Sequence, residues 1–93
     1  MFIGSATFYL SIDWANSLKD KRRCMKSIMD KMKNKFNISV AEIEENDNHN
    51  IGVIGFACVS NSKTHAEKTI DTVLRFAQAN TEGELYSIEI EII

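Results

Sequence analysis

The sequence has no proline and only four glycines in 93 residues. No apolar run approaches the roughly 20 residues that a membrane span needs. The opening MFIGSATFYL has no basic region before its apolar stretch and no small-residue cleavage site after it, which argues against a secretory signal. Cysteine is scarce: Cys24 and Cys58 lie far apart and form neither a C-x-x-C pair nor a disulfide framework. Each sits in an apolar context, as expected of a buried cytosolic thiol. His49 and His65 are the only histidines, and no spacing links either to a cysteine. The motifs G-x-x-x-x-G-K-[ST], G-x-G-x-x-G, G-x-S-x-G and H-E-x-x-H are all missing. The expectation is therefore a cytoplasmic, non-membrane protein with no catalytic residues, cofactor or metal.

What is present is ordinary globular composition, 44% apolar and 26% charged, enough for one domain over residues 1–93. The net charge of −2 hides a partition. Lys19 to Lys35 holds eight of the eleven basic residues and only two acids, Asp20 and Asp30. No Lys or Arg occurs from Phe36 to Ser62, nor after Arg75. One segment is basic and the rest is acidic.

The first twelve residues alternate, with Phe2, Gly4, Ala6, Phe8, Leu10 and Ile12 on one face and Ser5, Thr7, Tyr9 and Ser11 on the other. That period of two predicts a strand. Ser17 followed by Asp20 predicts a capped helix start. Leu18, Met25, Ile28, Met29, Met32 and Phe36 then form a helical apolar stripe, with Lys19, Arg22, Arg23, Lys26 and Lys33 on its flank. Ile38 to Glu44 reads as a second strand whose phase shifts, suggesting a β-bulge near Val40. A polar connection over 45–50 leads to a third strand, Ile51 to Ser60. It is apolar on both faces and so belongs in the middle of its sheet. A second helix covers Asn61 to Asn80, with Ala66, Ile70, Val73, Leu74 and Ala77 as its core stripe and Asn61, Ser62 and Thr64 competing as caps. Tyr86, Ile88, Ile90 and Ile92 alternate with Ser87, Glu89 and Glu91 in a fourth strand.

The order β-α-β-β-α-β predicts an α+β, ferredoxin-like split β-α-β sandwich. Right-handed crossovers place both helices on one face of a four-stranded antiparallel sheet, with the first and third strands central.

The run Ser17-Leu18-Lys19-Asp20-Lys21-Arg22-Arg23, with Lys26-Ser27, Phe36-Asn37-Ile38-Ser39-Val40-Ala41-Glu42, Val59-Ser60-Asn61, His65 and Val73-Leu74-Arg75-Phe76, resembles the bacterial YlxP-like family, a domain of unknown function. The resemblance runs nearly end to end. Genes of that family often lie near those for transcription elongation, translation initiation and ribosome-binding factor A, which implies an RNA or ribosome connection by association. The chain departs from the family where many members have Pro-Gly, here Asp13-Trp14, and where many have His-Gln-Asp followed by Trp, here Glu45-Asn46-Asp47-Asn48-His49.

Lys19, Lys21, Arg22, Arg23, Lys26 and Lys33 are the candidate nucleic-acid-binding residues. Lys and Arg neutralise phosphates and release counterions, and Arg forks bind phosphate oxygens bidentately. A solvated face that keeps a small protein soluble is the plainer alternative. Gly55-Phe56-Ala57-Cys58-Val59 partly matches an RNA-recognition signature, but Ile54 stands where a cation belongs, and Cys58 and Asn61 where stacking aromatics belong. Trp14 suits the end of the core better than a base-stacking role. The Glu44, Glu45, Asp47 and His49 group lacks metal-ligand spacing. His65 suits packing or capping.

The leading reading is a small binding module that contacts RNA or a ribosomal particle through the basic helix. The alternative is a protein-interaction module using the same helix. The sheet face away from the helices receives one apolar set of the third strand, which predicts a two-fold homodimer packed sheet to sheet, with edge-strand pairing as the other geometry.

Overall fold

The computed structural model describes residues 1–45 and 47–93. Its elements are β1 (Phe2–Ser11), α1 (Leu18–Lys35), β2 (Ser39–Glu44), β3 (Ile51–Ser60), α2 (Lys63–Asn80) and β4 (Glu84–Ile92). All strand pairs are antiparallel, in the order β2-β3-β1-β4. This is the ferredoxin-like α+β arrangement that the sequence predicts. The connection between β2 and β3 includes Asn46, which lies outside the described residues.

Alternation in β1 sends Ala6, Phe8 and Leu10 into the core beneath the helices. Their cross-strand partners Phe56 and Ile54, with Cys58, come from β3. Met25, Ile28 and Met32 of α1 and Ile70, Val73 and Ala77 of α2 close the layer from above. Both cysteines are free and buried. Val53, Gly55, Ala57 and Val59 take the face away from the helices, hereafter the open face. Val53, opposite Tyr9, is already buried there. Phe56 and Cys58 point under the helices, so the partial RNA-recognition signature has its aromatic position inside the core and not on an accessible sheet face.

Two details differ from the sequence reading. The irregularity in β2 lies between Glu42 and Glu44, not near Val40. Val40 pairs with Phe56 and Glu42 with Ile54, so the strand keeps one phase through Glu42. The apparent shift arises because a charged residue occupies a helix-facing position. In β4 the register slips between Thr7 and Tyr9, where Ser87 has φ 50°. Tyr86 is thereby moved off the isoleucine face to sit against Tyr9, with ring centroids 5.4 Å apart. Glu89 and Glu91 stand opposite Thr7 and Ser5 on the open face.

Among the described residues no helix is long and apolar enough to cross a membrane.

Candidate nucleic-acid interface

The basic segment is held by a well-capped helix start. Ser17 is the N-cap, and its hydroxyl accepts from the Asp20 amide at 3.2 Å. The Asp20 carboxylate accepts in return from the Asn16 amide at 3.1 Å, one residue before the cap. The turn ahead of the helix is pinned by Trp14, whose indole N–H donates to the Glu82 carbonyl at 3.0 Å. Asn50 adds a second clamp, its side-chain amide donating to the Ile12 and Ala15 carbonyls. Trp14 therefore joins two chain turns at one end of the core, with part of its ring still exposed.

From this start, 3.6-residue periodicity places Lys19, Arg22, Arg23, Lys26 and Lys33 within an arc of about 100°. All five are exposed. Two have carboxylate partners within the helix: Arg23 lies 3.6 Å from Asp20, and Lys26 lies 2.7 Å from Asp30. The hydrogen bond from Lys26 holds the Asp30 carboxyl below its usual range, and the same bond raises the Lys26 ammonium. Among the described residues Lys19, Arg22 and Lys33 have no ion pair. Asp30 lies inside the basic arc and interrupts it, which the charge count alone conceals.

Lys21 does not belong to this face, a correction to the six-residue set. Its side chain is 1% exposed, turned under the helix toward β2. The positions 21, 25, 28 and 32 follow stripe spacing, so Lys21 occupies the stripe's first-turn place beside Met25. Its ammonium donates to the Glu45 carbonyl and lies 3.1 Å from Glu42 Oε2. Among the described residues that carboxylate oxygen has no hydrogen bond, so its contact with Lys21 is ionic, off the hydrogen-bonding direction. Lys21 and Glu42 are each the exception in an otherwise apolar pattern. Neither is explained by its own neighbours in sequence, because its partner is distant in the chain. The signal was there in spacing, since Lys21 sits on the stripe and Glu42 sits in phase with Ile38 and Val40.

The remaining candidates separate. Ser62 is the N-cap of α2, its hydroxyl accepting from the His65 amide at 3.3 Å, and the His65 side chain is exposed. Burial pushes the Cys24 thiol up, and the nearby Glu82 carboxylate adds to that. Among the described residues no group of three or more His, Cys, Asp or Glu side chains could hold a metal ion.

The family model for a protein of unknown function, DUF503, matches residues 3–90. The uncharacterized protein YlxP of Bacillus subtilis (strain 168) is 39% identical over 82 residues, covering 88% of this chain and 89% of that protein. Among solved structures, the de novo designed protein Foldit4 is similar with a TM-score of 0.51 at 15% identity, over 99% of this chain and 94% of that one. This last likeness speaks for the fold alone. The family model and the relative both span nearly the whole chain, and on that ground the chain belongs to the DUF503 family of proteins of unknown function.

Proposed function

We propose that the protein is a small binding module that contacts structured RNA, free or within a ribosomal particle, through Lys19, Arg22, Arg23, Lys26 and Lys33 of α1. The observation that carries this reading is where the cations lie along the helix. Lys19, Arg22 and Arg23 crowd the first two turns of α1, and Asp20 is the one acid in the first turn. The helix macrodipole is positive at that end; it opposes the first-turn Lys19 by about 0.3–1 kcal/mol and Arg22 and Arg23, one turn on, by less. The Asp20–Arg23 pair offsets about 0.2–0.5 kcal/mol of this, but helix stability gives no reason for placing Lys19 and Arg22 here. A phosphate ligand does, because the same dipole and the same side chains both attract it.

The test is binding of a fluorescent RNA hairpin across a salt series. With Lys26 held by Asp30, four phosphate contacts give a slope of log K against log salt near −3.6, at about −0.9 per contact. Affinity then falls roughly a hundredfold between about 50 and about 200 mM salt. Replacing Arg22 and Arg23 by Glu abolishes binding. Equal binding by the charge-reversed protein overturns the reading. In cell lysate at low salt the protein is expected to sediment with ribosomal subunits and to leave them on nuclease treatment. A partner that survives nuclease points to a protein surface instead.

A further inference from the structure

Among the described residues β4 has only β1 beside it, so one edge of the sheet is unpaired from Glu84 to Ile92. Natural edges are commonly guarded by lysine, proline or shortness. β4 is nine residues long with no Lys or Pro, and its one irregularity, at Ser87, leaves Glu89 to Ile92 in unbroken register with β1. Ile88 and Ile90 are 46% and 57% exposed. The opposite edge, β2, is six residues long and bulged near its end.

The backbone of this edge is oriented for pairing. Ile3 and Ile93 exchange both backbone hydrogen bonds, at 2.8 and 2.9 Å. Antiparallel ladders alternate, so Glu91 and Glu89 also turn their amides toward β1. Ile90 and Ile92 thus turn their N–H and C=O groups to the free side. The side chains alternate too: Ile90 and Ile92, opposite Ala6 and Gly4, are on the helix side, whereas Glu89 and Glu91 are on the open face.

Charge selects the occupant. A second copy pairing β4 with β4 across a two-fold axis keeps its open face on the same side. That brings Glu89 and Glu91 opposite or diagonal to the same carboxylates of the other copy, a destabilising arrangement. Neither edge strand of this chain carries a cation to relieve it, since Lys and Arg are absent from Phe36 to Ser62 and after Arg75. We infer that the free edge of β4 docks an extended segment of another protein in which Lys or Arg alternates with apolar residues. Its cations meet Glu89 and Glu91, its apolar side chains extend the isoleucine row, and its backbone pairs with Ile90 and Ile92. This site lies on a different element from the basic arc of α1 and stands independently of it.

The probe is a capped peptide as long as β4, alternating lysine with valine, with a control of the same composition carrying its lysines in one block. Amide exchange is followed by NMR on the intact protein. The alternating peptide is expected to slow exchange at Ile90 and Ile92, and the block peptide to leave it unchanged. The double variant Glu89→Lys with Glu91→Lys, altered only at exposed side chains, weakens binding by about tenfold or more. Ile90→Pro removes an outward donor while sparing the amides that face β1, and should abolish binding with the melting curve retained. If that variant fails to fold, the charge-reversed protein decides. Equal binding of the block peptide, equal binding by the charge-reversed protein, protection along β2 instead, or no binding of the alternating peptide overturns the proposal.

Discussion

Replacing Lys21 by Met is expected to destabilise the protein without touching its RNA affinity. Methionine keeps the unbranched stem that packs beside Met25 and removes only the ammonium. Two groups then lose their partner: the Glu42 carboxylate and the Glu45 carbonyl. Breaking a fully buried ion pair costs about 3–5 kcal/mol. Glu42 is about a quarter exposed and can turn part of its charge to water, which lowers that figure. The Glu45 carbonyl adds about 1 kcal/mol for a lost hydrogen bond. The sum is about 2–4 kcal/mol, a large share of the roughly 5–15 kcal/mol that holds a typical domain.

The second arm is Lys21→Met combined with Glu42→Leu. Glu42 faces the helices opposite Ile54, where an apolar side chain meets the core. Exchanging a buried pair for apolar residues is commonly neutral or stabilising. The double variant is therefore expected within about 1 kcal/mol of the parent, so the two single losses cancel instead of adding. Urea unfolding measures each corner of the cycle, with unchanged slopes as the control. A loss below about 1 kcal/mol for Lys21→Met, or a double variant as unstable as the two losses summed, refutes the assignment of this pair. Weaker RNA binding by the folded Lys21→Met protein would return Lys21 to the interface.

Asp30→Asn frees Lys26 and removes the acid inside the basic arc, so RNA binding tightens and the salt slope steepens by about one contact. An unchanged slope would place Lys26 outside the interface. The Cys24 thiol is held protonated by burial, so a thiolate-directed reagent is expected to modify it only as the protein unfolds; rapid labelling of the native protein at mildly alkaline pH would contradict that. The sheet-to-sheet homodimer now rests on a narrow strip, Ile43 and Val59 at 46% and 67% exposure beside the small residues Gly55 and Ala57. Light scattering is expected to show two chains, reduced toward one by Ile43→Ser with Val59→Ser; a one-chain mass across about a hundredfold dilution of the parent rules the dimer out.

What could be read from sequence was what one residue reports by itself. Alternation in β1 and the stripes of α1 and α2 are local consequences of period two and period 3.6, and they suffice for element order and topology. The errors fall where two distant residues explain each other. Lys21 looked like surface because lysine usually is, and Glu42 made β2 look out of phase; together they form one buried contact between α1 and β2. Tyr86 looked like a member of the isoleucine row because nothing nearby announces that Ser87 adopts a left-handed backbone and flips the phase. The same limit applies to the basic arc. Its cations were countable, but the pairing of Lys26 with Asp30 and the burial of Lys21 depend on geometry.

The charge partition of the chain becomes, in the fold, a separation in space. The exposed flank of α1 looks away from the sheet, whereas Glu89 and Glu91 lie on the sheet's open face, behind it. At least a helix diameter of about 10–12 Å intervenes. The Debye length is about 8 Å at physiological salt and about 30 Å at 0.01 M. The acids on β4 would therefore be screened from an RNA bound to α1 at physiological salt and felt by it in dilute buffer. The charge-reversed protein, Glu89→Lys with Glu91→Lys, should then bind the RNA hairpin within about twofold of the parent at physiological salt, and several-fold more tightly at about 0.01 M. The same variant is thus expected to lose the strand docking proposed for β4 while keeping the RNA binding proposed for α1. A tenfold or greater gain in RNA affinity at physiological salt would mean instead that the RNA touches the open face of the sheet. The basic arc of α1 would then not be the main interface.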